Sequence, residues 1–220
     1  MATVASPAEQ RLLLRNMGWA TYERLLADHL NSSLPHFTYD QGLLEILRPS
    51  TEREEDNRTL AMLVEVVAEE RAIDVVNVGS MTFRREDLQR GFEPDSSFYI
   101  GNAERVSGKV QIDLTVDPPP DLVIEIDATH PSLDKLPIYA QMGVPEVWRL
   151  VGERVIVLLL QTDAYVEAWQ SAALPSLTGD ILTRFVAQSR TLKRTAWLRA
   201  VRAWVRDRAP GEPALGRAGG

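Results

Sequence analysis

Phe92-Glu93-Pro94-Asp95-Ser96-Ser97-Phe98-Tyr99-Ile100 and Pro120-Asp121-Leu122-Val123-Ile124-Glu125-Ile126-Asp127 are the two stretches on which the reading of this chain turns. Both predict strands, over 92–100 and from Leu122 to Ile126. Successive side chains of a strand alternate between faces. Asp121, Glu125 and Asp127 therefore share one face with Val123, and Leu122, Ile124 and Ile126 take the other. Carboxylates on so apolar a strand are costly to bury unless they are paired or bound to a cation. Pro94-Asp95 adds an acid near the start of the other strand.

Working outward, the order of elements is mixed α/β. Gln10 to Arg15 predicts a short edge strand, and Trp19, Tyr22 and Leu26 follow helical spacing after Gly18. His36-Phe37-Thr38-Tyr39 and Leu43-Leu44-Glu45-Ile46-Leu47 flank Asp40-Gln41-Gly42 as a tight hairpin. Ser50 or Thr51 can cap the next helix, and Thr51 with Glu54 has capping-box spacing. Leu60, Leu63, Val64, Val67 and Ala68 form its apolar stripe. Strands are predicted over 73–78 and 80–84. The polar segment 101–120 ends in three prolines, which cannot pair inside a sheet. Pro131 to Met142 predicts a short helix stopped by Gly143. Strands follow at 144–150, 154–160 and 164–169, and then helices. One domain over 1–208 closes with a basic helix, and the glycine- and proline-rich residues 209–220 read as a disordered tail.

Composition removes several classes of function. The chain has 220 residues, a length that suits one core, and no cysteine, so thiolate metal sites and disulfides are excluded. A formal charge of −7 argues against a protein that coats nucleic acid by bulk electrostatics. The N-terminal residues lack a signal-peptide pattern, and the longest apolar run, six residues from Val155 to Leu160, is far too short to span a bilayer. The expectation is a cytoplasmic protein without a membrane partner. There is no G-x-S-x-G and no glycine-rich phosphate loop, which argues against esterases and nucleotide hydrolases.

A hard divalent cation such as Mg²⁺ or Mn²⁺ would reconcile the acids with their apolar setting, since such ions take one or two carboxylates plus water and phosphate oxygens. Bound there, the ion would polarise a phosphodiester and activate water. Asp95 and Glu125 are the candidate metal ligands, and Lys135 the group that would orient the water or stabilise the phosphate. Lys135 stands at a helix start, where the dipole disfavours a cation by a few tenths of a kcal/mol or more, roughly. Other readings stay open at this point. Pro94-Asp95 suits a turn, Asp121 can cap one, and Lys135 can be a solvated residue paired with Asp134.

Blocks spread through the chain bear on this choice: Phe37-Thr38-Tyr39-Asp40, Leu44-Glu45-Ile46-Leu47, Gly91-Phe92-Glu93-Pro94-Asp95 and Pro119 to Ile126. Asp134-Lys135-Leu136-Pro137-Ile138-Tyr139 and Gly143-Val144-Pro145-Glu146-Val147-Trp148 continue the series. From about Trp19 to Arg206 the sequence resembles the Uma family of restriction-endonuclease-like proteins, abundant in cyanobacteria, within the PD-(D/E)XK nuclease superfamily. The resemblance implies a mixed central β-sheet flanked by helices and a metal-dependent endonuclease acting on DNA. It implies that Asp95 and Glu125 are metal ligands. The superfamily's usual lysine position falls on Asp127, so Lys135, from the following helix, is the matching candidate. Glu52 lies where the family carries Pro-Glu-His, with Thr51 in place of the proline and Arg53 in place of the histidine. Many nucleases of this fold pair up to cut both strands, so a homodimer is compatible with the reading.

Remaining candidates are weaker. His29, His36 and His130 have no metal-ligand spacing, although His130 could line the site. Tyr139, four residues beyond Lys135, could touch substrate or simply pack, and Trp148 reads as core. Residues 181–208 hold eight Lys/Arg against one acid, Asp207. They could form a phosphate-contacting arm or a solvated face over a core made by Trp197, Val201 and Trp204. The rival to the nuclease is a catalytically silent module on the same fold that binds nucleic acid or protein, motivated by the displaced lysine and the altered first helix.

Overall fold

The computed structural model describes residues 9–30, 32, 34–127 and 133–208. His130, the first residues of the helix expected from Pro131, and the tail expected over 209–220 lie outside them. Two sheets carry the fold. The first has five strands in the order β1-β3-β2-β6-β5: β1 (Gln10–Leu14), β2 (His36–Asp40), β3 (Leu43–Arg48), β5 (Phe83–Arg85) and β6 (Arg90–Phe92). The second has six in the order β11-β10-β9-β8-β7-β4: β4 (Val76–Asn77), β7 (Ser96–Tyr99), β8 (Leu122–Asp127), β9 (Glu146–Val151), β10 (Arg154–Gln161) and β11 (Ala164–Ala168). The β8–β9 pair is parallel and the remaining pairs of that sheet are antiparallel, so the expected mixed sheet is present. Parallel neighbours need a crossover, and the short helix α4 (Leu136–Gln141) lies in it.

The alternation read along β8 sorts its side chains between two cores. Leu122, Ile124 and Ile126 pack with Leu60, Leu63, Val64 and Val67 of α2 (Thr51–Glu70). The same core takes Phe185 of α5 (Gly179–Ser189) and Trp197, Val201 and Val205 of α6 (Arg194–Arg206). On the opposite face Val123 joins Phe92, Tyr99, Ile138, Tyr139 and Val147. Helix α1 (Trp19–Asp28) covers the five-stranded sheet with the three residues its spacing predicts, and Tyr22 stacks on Tyr39 with ring centroids 5.1 Å apart. The helical set is completed, among the described residues, by α3 (Ala103–Val106).

The strand expected over 92–100 is two strands in two sheets. Proline offers no N–H and interrupts a ladder, and at Pro94 the chain leaves β6 for β7. The acids on either side fasten the crossing. Glu93 accepts the Phe37 N–H at 2.8 Å and the Thr82 hydroxyl, both beside the first sheet. Asp95 accepts the Ile126 N–H at 2.7 Å from the second. Elsewhere Ser50, rather than Thr51, caps α2 by accepting the Arg53 N–H. The strand predicted over 73–78 contracts to Val76–Asn77, and the one predicted over 80–84 is shorter and shifted, at Phe83–Arg85. Among the described residues no helix is long and apolar enough to cross a membrane.

Two expectations test this architecture. Gly91, in β6, lies under Tyr22, and a Cβ added there would stand 2.7 Å from Tyr22 Cζ. Gly91→Ala should therefore cost about 1–3 kcal/mol by overpacking, read from urea unfolding. Arg202 and Arg206 of α6 bind Glu70 of α2 at 2.7–2.8 Å, and these bonds lower the Glu70 carboxyl from 4.5 to about 2. A folded pKa below the unfolded one stabilises above 4.5 and fades as pH falls toward about 2. The stability difference between wild type and Glu70→Gln should shrink over that window, and at neutral pH it should shrink with added salt.

Candidate active site

The site is assembled from α2, the Pro94 crossing, β8 and the entry to α4. In the β7–β8 register Ser96 faces Ile124, so Asp95, one step earlier, arrives beside Glu125. Both carboxylates are 4% exposed, which makes their partners decisive. Arg53 forks onto Asp95, with Nε 3.1 Å from Oδ1 and Nη2 2.7 Å from Oδ2. The same Nη2 lies 3.6 Å from Glu125 Oε2, and Nη1 lies 3.2 Å from Glu9. Asn57, one turn along α2, donates to the Asp95 carbonyl at 2.9 Å. Glu125 in turn accepts from Lys135 Nζ at 3.1 and 3.2 Å and from the Tyr139 hydroxyl.

The candidate trio Asp95, Glu125 and Lys135 is thus brought together. Lys135 immediately precedes α4 and turns to Glu125, while Asp134 accepts the Leu136 N–H at 3.2 Å instead of pairing with it. Asp121 departs from the acidic group: it accepts the N–H groups of Ile100 at 2.7 Å and Asn102 at 2.9 Å, the turn-capping role open to it. Asp127 pairs with Arg149 of β9. Glu52 is exposed, and Arg53 beside it holds the site. His29 contacts the Leu25 carbonyl at 2.8 Å, and Trp148 is core, with its indole N–H on the buried Glu146 at 2.6 Å.

Electrostatics separates the two acids. Burial raises the Asp95 carboxyl, but the Arg53 and Lys135 charges, the Arg53 hydrogen bonds and the Ile126 N–H outweigh it, and the group lies below its ordinary value. For Glu125 burial prevails, reinforced by Asp95 and only partly offset by Lys135, Arg53 and Tyr139, so its carboxyl is raised. Burial also raises Asp127 against the pull of Arg149. Burial works against the charge on Arg53, yet Asp95, Glu125 and Glu9 overcome it and hold the guanidinium protonated. A pocket opens onto the group, with Arg11, Arg53, Lys135 and Arg149 in its wall among Glu45, Glu125 and Asp127.

Arg53, Arg149 and the contact between Tyr139 and Glu125 were not legible as site features from residue spacing. One signal for Arg53 exists. Counting back along the α2 stripe from Val64 and Leu60 gives Asn57 and then Arg53, so two polar residues continue an apolar face into the interior. Hard-oxygen donors suited to a divalent cation are present in Asp95 and Glu125. Among the described residues, however, no group of three or more His, Cys, Asp and Glu side chains is arranged to hold one. The position that bridges the two carboxylates is taken by Arg53 Nη2.

Comparison with known proteins identifies the family and the fold. The family model Uma2, described as "Putative restriction endonuclease", matches residues 19–188. Among solved structures, the chain is similar to "a putative nuclease belonging to DUF820" from Anabaena variabilis ATCC 29413, with a TM-score of 0.53 and 14% identity. That match covers 77% of this chain and 99% of the other, and at such identity the likeness is one of fold, restriction-endonuclease-like. A search of curated proteins finds no match. Tyr139→Phe removes one donor from Glu125 and should lower stability by about 1.5 kcal/mol, measured by urea unfolding; an unchanged midpoint would mean that the hydroxyl contributes nothing there.

Proposed function

The chain belongs to the Uma2 family over residues 19–188, and from that premise we propose that it is an endonuclease hydrolysing phosphodiester bonds, with DNA as substrate and Mg²⁺ or Mn²⁺ as cofactor. The observation that carries the reading is the buried meeting of Asp95 and Glu125 with Lys135 Nζ 3.1 Å from Glu125. Asp95 and Glu125 would hold the ion. When bound, it supplies Lewis-acid polarisation of the phosphodiester and a lowered pKa for water. Lys135, on the pocket wall, orients the attacking water or steadies charge on the phosphate. Tyr139 keeps the Glu125 carboxylate in place. Arg11 and Arg149 line the pocket, paired with Glu9 and Glu45 and with Asp127, and would have to exchange those partners for the substrate backbone. The catalytic unit is read as a single domain over 1–208, cytoplasmic, with pairing into a homodimer as the arrangement that would cut both strands.

The isosteric variants Asp95→Asn, Glu125→Gln and Lys135→Met should each lower cleavage of plasmid DNA by about 10²-fold or more with far-ultraviolet circular dichroism unchanged. Cleavage that survives both carboxylate substitutions would remove the assignment. Turnover of DNA, RNA and a small phosphodiester, compared under one metal, checks the substrate.

A second reading, a catalytically silent module that binds nucleic acid or protein, is favoured by one observation: each side-chain oxygen of Asp95 and Glu125 already faces a protein donor. Its phosphate contacts would not come from Arg202 and Arg206, whose guanidinium groups are bound to Glu69 and Glu70. This reading expects binding without turnover in any divalent metal.

A further inference from the structure

Arg53 stands where a cation between Asp95 and Glu125 would stand. Its Nη2 is 2.7 Å from one carboxylate and 3.6 Å from the other, and its side chain is only 6% exposed. A forked guanidinium matches a carboxylate in both charge and plane, so it is no loosely held neighbour. The charges of the inner group also close without help: Asp95 and Glu125 are balanced by Arg53 and Lys135. A divalent ion added to that group would leave two surplus positive charges in a buried place, which is strongly unfavourable.

We infer that the Arg53 guanidinium and a divalent cation compete for the same two carboxylates, so that Arg53 is an internal cation gating metal entry to the site. The inference rests on reading Asp95 and Glu125 as the cation-binding pair. A route for withdrawal exists. Arg53 Nη1 already lies 3.2 Å from Glu9, whose side chain is 19% exposed, so the guanidinium can stay paired toward the surface after leaving Asp95. In this arrangement Arg53 is a positioning residue that sets how readily the pair accepts a cation.

Titration calorimetry with Mn²⁺ on the full chain tests the competition, together with thermal unfolding with and without Mn²⁺. Arg53→Met should bind Mn²⁺ about tenfold or more tightly than wild type and gain a larger rise in Tm from it. The double variant Arg53→Met/Asp95→Asn should lose that gain. Equal affinity in Arg53→Met and wild type would overturn the inference, and so would a gain that persists in the double variant. If Arg53→Met folds only when Mn²⁺ is added, that rescue is the expected result in another form. If it does not fold at all, Arg53→Lys decides: it retains a charge but cannot fork, and should bind Mn²⁺ about threefold more tightly than wild type. Unchanged affinity in Arg53→Lys then overturns the gate. Cleavage is scored separately. Wild-type cleavage with no gain in the variants removes the gate and leaves the nuclease; a gain without cleavage by any variant removes the nuclease and leaves the gate.

Discussion

The ion group around Asp95 ties α2, β8 and the passage between the two sheets together at one residue, beside the apolar core that α2 and β8 share. Its carboxylate takes Arg53 from α2 and the Ile126 N–H from β8, and its carbonyl takes Asn57. A carboxylate this deeply buried is tolerated only because its donors are supplied by different elements at once. The helix, the central strand and the passage between the sheets are thereby fixed relative to one another at one residue. The candidate pair depends on this, because Glu125 is presented by the same strand whose Ile126 N–H is accepted by Asp95. Removing Arg53 would leave the buried Asp95 without its ion pair, whereas Arg206 on α6 reaches its partner from an exposed position where solvent screens it.

Much of this is legible in the sequence alone. The period-two pattern of β8 put Glu125 and Leu122, Ile124 and Ile126 on opposite faces, and the two cores divide it that way. The pattern of α1 named Trp19, Tyr22 and Leu26, which are its buried residues. Juxtaposition across strands was less accessible. Spacing within one segment says nothing of which turn of a distant helix meets it, so Arg53 was visible as a replaced family residue but not as a partner of Asp95. The same holds for Arg149, which stands opposite Glu125 in the parallel β8–β9 register and reaches Asp127 two residues further along β8. Length misled at residues 92–100, where continuous strand character hid a change of sheet, although the proline marked the place.

The family is one of putative restriction endonucleases, yet the Asp95–Glu125 pair holds an arginine between its two carboxylates. These facts are compatible if the site has two occupants at different times. A buried cation lets the carboxylates fold without metal, since an unpaired acidic pair of this kind would oppose the folded state. The stability of the fold and the readiness of the site then pull in opposite directions on one side chain, and Arg53 is where that tension can be measured.

The passage from β6 to β7 has a consequence for how this sequence can vary in length. Glu93 and Asp95 are spaced by one proline, and each fastens a different sheet through its side chain. One residue inserted or deleted between them would let one fastening form only at the expense of the other, and would turn the acid just before β7 away from Glu125. These three positions can exchange side chains within narrow limits, but they cannot change in number.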